Sequence, residues 1–134
     1  MVHSETISLS TKGFSDIIDL TDHVMAVLKR SKIENGLVTV FCPGSTGGIT
    51  TIEYESGVLK DLQKAIEKIV PSDIPYEHDK RWGDGNGFSH VRAALMKPSL
   101  TIPSSKEDSP WEHGNRSSSS ILTTEGEREI YSSM

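Results

Sequence analysis

A chain of 134 residues has room for one hydrophobic core and little more, so a single domain spanning residues 1–134 is the expected organisation. With 34% hydrophobic and 25% charged residues it reads as a soluble globular protein, and its net charge of −5, without a Lys/Arg stripe, argues against a nucleic-acid partner. One cysteine, Cys42, excludes an internal disulfide framework and suits a reducing compartment; the longest apolar runs, such as residues 37–42, are far too short to span a bilayer, and no signal-peptide pattern opens the chain, so a cytoplasmic protein without a membrane partner is expected.

In chain order, residues 2–10 alternate loosely, with Ile7 and Leu9 set against Ser8 and Ser10, and predict a strand. Gly13 turns the chain, and residues 14–20, carrying Ile17 and Ile18, are expected to return as its hairpin partner. Thr21 is a candidate helix cap; Val24, Met25 and Leu28 share a face, and Asn35-Gly36 is the expected stop. Residues 37–42 form a β-branched run suited to an interior strand, and after the interruption Pro43-Gly-Ser-Thr-Gly-Gly48 residues 49–54 resume as a strand. Ser56 is positioned to cap the next helix, in which Val58, Leu62, Ala65, Ile66 and Ile69 form an apolar stripe that ends before Pro71.

Residues 76–90, Tyr-Glu-His-Asp-Lys-Arg-Trp-Gly-Asp-Gly-Asn-Gly-Phe-Ser-His, read as a glycine-rich working loop. A short helix over 88–96, turning Val91, Ala94 and Leu95 inward, and a strand over 99–103 follow. Hairpins plus two main helices and one short one point to an α+β fold with a largely antiparallel sheet. From Ser104 to Ser120 the chain is almost devoid of apolar residues, and Ile121, Leu122, Ile130 and Tyr131 are the anchors for two weak strands in an edge hairpin.

The chemistry concentrates in the loop. His78, Asp84 and His90 follow the spacing His-x5-Asp-x5-His, and neutral imidazole and carboxylate are suitable ligands for zinc, magnesium or another divalent ion. The same side chains equally make a metal-free polar site, or simply hydrogen-bond a long loop to itself. Ser45 and Thr46 lie in a Gly-rich connection whose N–H groups could cradle an anion, although such connections are more often plain turns. Neither a P-loop nor Gly-x-Gly-x-x-Gly is present, so nucleotide folds are not indicated. Glu53 is an acid, base or ligand candidate, Asn86 and Tyr76 supply further polar groups, and Arg92 is a candidate for phosphate; Cys42 reads as a buried small side chain.

Taken together, Gly44-Ser-Thr-Gly-Gly-Ile-Thr-Thr-Ile-Glu-Tyr-Glu55, Tyr76-Glu-His-Asp79, Trp82-Gly-Asp-Gly-Asn86 and Ser89-His90 resemble the YjbQ-like family, often labelled secondary thiamine-phosphate synthase, over residues 5–103. The resemblance implies an α+β sandwich-like domain that assembles as a homotrimer with pockets between subunits. It also implies a transferase acting on a phosphorylated small molecule. In that reading His78, Asp84, His90, Glu53 and Asn86 are catalytic, with a divalent ion on His78, Asp84 and His90. Ser45, Thr46, Tyr76, Asp79 and Arg92 bind substrate. The alternative is a non-catalytic protein that binds a phosphorylated metabolite or a metal at the same residues. Many members place a histidine where Pro43-Gly44 stands here. The family's closing Leu-Gly-Thr-Trp-Gln-Gln-like strand is missing as well. Codons compatible with residues 105–128 read in another frame as such an ending, so a frameshift is the expected origin of the tail, with a poorly packed C-terminus and weakened assembly as its consequences. An intact mass matching this sequence would establish that the polypeptide carries the tail.

Overall fold

The computed structural model describes residues 1–105, 117–123 and 128–133. The elements follow in the order β1 (Ser4–Leu9), β2 (Asp16–Asp19), α1 (Thr21–Ser31), β3 (Gly36–Phe41), β4 (Gly47–Glu53), α2 (Ser56–Ile69), α3 (Glu77–Trp82), α4 (Gly87–Met96), β5 (Ser99–Ser104), β6 (Ser117–Thr123) and β7 (Arg128–Ser133). The fold is α+β. Two sheets form, one in the order β1-β7-β3-β5 and one in the order β2-β6-β4, and their pairings are antiparallel.

The expected β1–β2 hairpin does not form, because the two strands belong to different sheets. Three consecutive residues with positive φ, Gly13 (75°), Phe14 (48°) and Ser15 (63°), carry the chain from one sheet to the other. Only glycine takes that conformation without steric cost, so Phe14 and Ser15 need outside support. The expected edge hairpin at the C-terminus is also replaced. β6 sits between β2 and β4, and β7 between β1 and β3, so each tail strand is interior to its own sheet. Ile121 pairs with both Ile18 and Ile49, while Ser117 to Ser120 lie opposite Glu53 to Thr50 of β4. The packing expected of the tail's side chains lies outside the described residues.

β3 is interior as expected, and its alternation is clean: Val38 and Val40 are buried while Leu37 and Phe41 face outward. The main core gathers Ile7 from β1, Leu20, Val24 and Val27 at α1, Val38 and Val40 from β3, Cys42, and Ile49 from β4. Full burial of each such aliphatic side chain contributes about 1.5–3 kcal/mol.

Two caps differ from those expected. Asp19 Oδ1 accepts from Thr21 N at 2.9 Å, so the acid ahead of the helix does the work assigned to Thr21. The Glu55 carboxylate accepts from Gly57 N at 2.7 Å and from Val58 N, doing what Ser56 was expected to do. α1 ends at Ser31 with Lys32 left-handed (φ 57°), short of Asn35-Gly36. In α2 only part of the stripe is covered: Ile66 is buried and Val58 and Leu62 half-buried, but Ala65 is exposed and Ile69 stands 70% exposed.

α4 presents the face opposite to that expected. Phe88, Ser89, Arg92 and Ala93 are buried, whereas Val91 and Leu95 are exposed. The reason is Arg92. Its Nε donates to Val70 O at 3.0 Å, Nη1 donates to Ser15 Oγ at 2.8 Å, and Nη2 donates to the Glu67 carboxylate and to Val70 O. A cation satisfied internally can be buried, so the helix rotates to bring it inward. Gln63 Nε2 donates to Ser15 O at 3.0 Å, and with Arg92 it clamps the left-handed turn at Ser15.

Several carboxylates titrate low in the folded state. Glu5, bonded by Arg30 and then by His3, drops from an ordinary 4.5 to about 2. Glu55 is lowered by the N–H groups of Gly57 and Val58, and Glu67 by Ser72 N–H and Arg92. With folded values depressed, the unfolded chain binds more protons below about pH 4.5, so stability is full above that value and is lost as pH falls toward about 2. Urea midpoints should therefore be flat above about pH 5 and decline below it, with Glu5→Gln showing a shallower decline. A midpoint that rises on acidification would contradict these assignments.

Candidate functional site

The stretch read as one working loop is a short helix, a glycine connection and the start of another helix. Tyr76 enters extended, and α3 then carries Glu77 and Asp79 in its first turn and Lys80 and Arg81 in its last, the arrangement that complements the helix dipole. Gly83, left-handed at φ 72°, closes it by donating from its N–H to Asp79 O at 2.8 Å. α4 begins four residues later, and its first residue, Gly87, lies hard against α3. A Cβ at Gly87 would stand 2.5 Å from Tyr76 Cβ and 3.0 Å from Asp79 Oδ1. Gly87 N donates to Asp79 Oδ1 at 2.8 Å, so Asp79 caps α4 from the neighbouring helix.

This close approach sets His78 of α3 against His90 of α4. Their ring centroids are 4.4 Å apart at 46°, and His78 Nε2 lies 3.3 Å from Asp84 Oδ2. Burial pushes Asp84 upward, but bonds from His78 and from its own and Asn86's backbone N–H leave it net lowered, an ionised carboxylate beside the imidazoles. His78 and Asp84 keep about a third of their side-chain surface or more in solvent, 32% and 42%, so the group is reachable. Two imidazoles at this separation repel if both are charged, whereas one protonated ring beside Asp84 and one neutral ring form an acid and a base in contact.

The chain matches the model of the family described as UPF0047 protein YjbQ-like over residues 5–114. The chain belongs to this YjbQ-like family. A UPF0047 protein of Methanothermobacter thermautotrophicus is 38% identical over 102 residues, covering 76% of this chain and 70% of that one. One from Archaeoglobus fulgidus is 34% identical over 97 residues, covering 72% and 73%. Among solved structures, a YjbQ-like protein of unknown function from Sulfolobus solfataricus superimposes with a TM-score of 0.86 at 23% identity, over 99% of this chain and 96% of that one. An uncharacterised YjbQ/UPF0047 protein from Clostridium acetobutylicum gives 0.81 at 26%, over 96% and 97%. This YjbQ-like chain is therefore close in fold to relatives of unknown function.

The other expected site residues of this YjbQ-like protein separate by role. Asn86 precedes α4, and its backbone N–H helps hold Asp84. Tyr76 donates its hydroxyl to Pro71 O at 2.6 Å, its ring lies 6.5 Å from that of Phe88, and burial raises its pKa. Asp79 is engaged as the α4 cap, and the Arg92 guanidinium is 3% exposed and bonded to protein, so neither presents a free group to a phosphate. Glu53 is exposed at the end of β4, and no hydrogen bond or ion pair joins it to the imidazoles. Ser45 is exposed and Thr46 buried in the turn that enters β4. There Gly48 packs on Met96, and Ile49 N bonds Lys97 O at 2.9 Å. Met96 lies about 9 Å along α4 from His90.

Among the described residues, no three His, Cys, Asp or Glu side chains are arranged to hold a metal ion. The donors at 78, 84 and 90 are chemically suitable, but as placed Asp84 serves His78 as a hydrogen-bond partner. Two features escape a loop reading of the sequence. Trp82 falls one helical turn after His78, and Ser89 Oγ is fully buried without a hydrogen-bond partner among the described residues. No helix among the described residues is long and apolar enough to cross a membrane.

Proposed function

We propose that this YjbQ-like protein is an enzyme acting on a phosphorylated small molecule, with His78 and His90 as a proton-carrying pair poised by Asp84. The observation supporting this reading is the imidazole–imidazole contact at 4.4 Å beside an ionised carboxylate, partly open to solvent. A protonated ring donates to a phosphate oxygen and neutralises charge that develops there. A thiamine-phosphate synthase-type transfer suits this pair. The C–O bond to pyrophosphate breaks with its electrons passing to the leaving oxygen, and the thiazole nitrogen lone pair forms the new C–N bond. The imidazolium stabilises the leaving oxygen.

The proposal includes a homotrimer. In this reading the turn at Ser45 and Thr46 of a neighbouring copy completes the phosphate cradle. In this reading the site is intracellular, where phosphorylated metabolites are abundant.

Pyrophosphate release from a pyrimidine methyl pyrophosphate in the presence of a thiazole phosphate tests it. His78→Ala should lower the rate by about a hundredfold, the usual worth of one general acid–base group. The rate should survive a chelator. Loss on chelation, restored by zinc or magnesium, would instead put a divalent ion on His78, Asp84 and His90. Tight binding of the substrates without turnover would select the alternative, a metabolite-binding protein.

A further inference from the structure

One residue of α3 holds both ends of the connection that carries Asp84. Asp79 O accepts from Gly83 N at 2.8 Å, and Asp79 Oδ1 accepts from Gly87 N at 2.8 Å, so residues 83–87 leave Asp79 and return to it. The hydrophobic core does not shape this loop. α3 contributes no buried residue, and Gly83, Asp84 and Gly85 are all exposed. Both glycines are left-handed, and nothing stands within 4 Å of where a Cβ would be at either. Within the loop the Asp84 carboxylate accepts from its own and Asn86's backbone N–H and lies 3.3 Å from His78 Nε2. His78 and Asp79 are neighbours in sequence, so the residue that anchors the loop is covalently joined to the imidazole that the loop serves.

We infer that Asp79 is a positioning residue: by holding both ends of the 83–87 loop it aims the Asp84 carboxylate at His78. It acts through Asp84 and does not touch the substrate. The inference rests on the proposed role of His78 and Asp84, and adds the group that brings them together. A loop with two left-handed glycines has many conformations open to it once released, and few of them set Asp84 within reach of His78. The bond from Gly87 N is charge-assisted and lies at the start of α4, where the helix dipole also favours a carboxylate. A single side chain thus removes most of the loop's freedom.

Two variants at this position, compared on the full chain by amide hydrogen exchange and by the pyrophosphate-release assay, test it. Asp79→Ala should speed exchange at Gly87 N–H, its direct partner, and also at Asn86 N–H, which reports the seating of Asp84. Asp79→Asn keeps an oxygen for Gly87 N and should restore protection at both. In turnover, Asp79→Ala should lower kcat about tenfold, the worth of one hydrogen bond to a charged group, with KM nearly unchanged. That loss should disappear in an Asp84→Ala background, because the group being aimed is gone. An equal loss in that background, or an Asn86 N–H that stays protected in Asp79→Ala, overturns the inference and leaves Asp79 a helix cap alone. A wild type that releases no pyrophosphate removes the proposed reaction, and exchange at Asn86 then decides the positioning role by itself.

Discussion

Replacing Arg92 with alanine should destabilise the fold by about 3 kcal/mol, since buried bonds to a charged group are worth about 1.5–3 kcal/mol each and their partners are left unsatisfied. The guanidinium ties α4 to two distant parts of the chain: the end of α2, through Glu67 and Val70, and Ser15 in the turn between the sheets. Its plane also covers the Phe88 ring at 4.8 Å, so truncation leaves a cavity there. Ser15 is left-handed, and losing the bond to its Oγ releases a turn that is unfavourable for a non-glycine residue. For a chain of this size the change corresponds to a fall of roughly 10 °C in Tm. Arg92→Lys should recover less than half, because a single ammonium cannot reproduce a fork that serves three partners. The opposite pattern, an unchanged Tm with phosphate binding abolished, would return Arg92 to the ligand-binding role expected from the sequence.

The second large effect is expected at Gly87. Adding one methyl there would set a Cβ 2.5 Å from Tyr76 Cβ, an atom fixed to backbone that cannot swing away. α3 must then move off α4, at a cost of about 2–3 kcal/mol for overpacking. The move also breaks the Asp79 cap on Gly87 N and parts His78 from His90. A displacement of about 1 Å at reacting groups commonly costs on the order of a hundredfold in rate. Gly87→Ala should therefore lose activity out of proportion to its stability, and NMR should show the ring contact between His78 and His90 lost. Gly85→Ala is the matched control. Its φ of 67° disfavours a side chain, yet nothing lies within 4 Å, so it should cost only about 1 kcal/mol and leave the imidazole pair together. If Gly87→Ala behaved like Gly85→Ala, the close packing of α3 on α4 would not be what assembles the site.

Part of this was legible from local chemistry. Val38 and Val40 alternate with outward Leu37 and Phe41, and the spacing of Val58, Leu62 and Ile66 suits a helix, so β3 and α2 follow from short-range pattern alone. α3 was also there to be read: Pro75 before it, acids in its first turn, bases in its last and Gly83 after it. The density of polar residues and glycines masked those signals, and with them the four-residue step from His78 to Trp82. The inward face of α4 could not be read, because hydrophobicity ranks Val91 and Leu95 above Arg92, and only the partners at Ser15, Glu67 and Val70 reverse that ranking.

By itself, the sequence determined where most helices and strands run, the α+β class and the YjbQ-like family, because propensity, periodicity and motif spacing act over a few neighbours. Tertiary structure decided the rest. It sent β1 and β2 into different sheets through three left-handed residues, placed both tail strands in sheet interiors, and buried Arg92 as a strut. It also brought His78 against both Asp84 and His90. Those outcomes depend on hydrogen bonds and close contacts between residues as distant in the chain as Ser4 and Ser133, and no local pattern encodes which partners will satisfy one another.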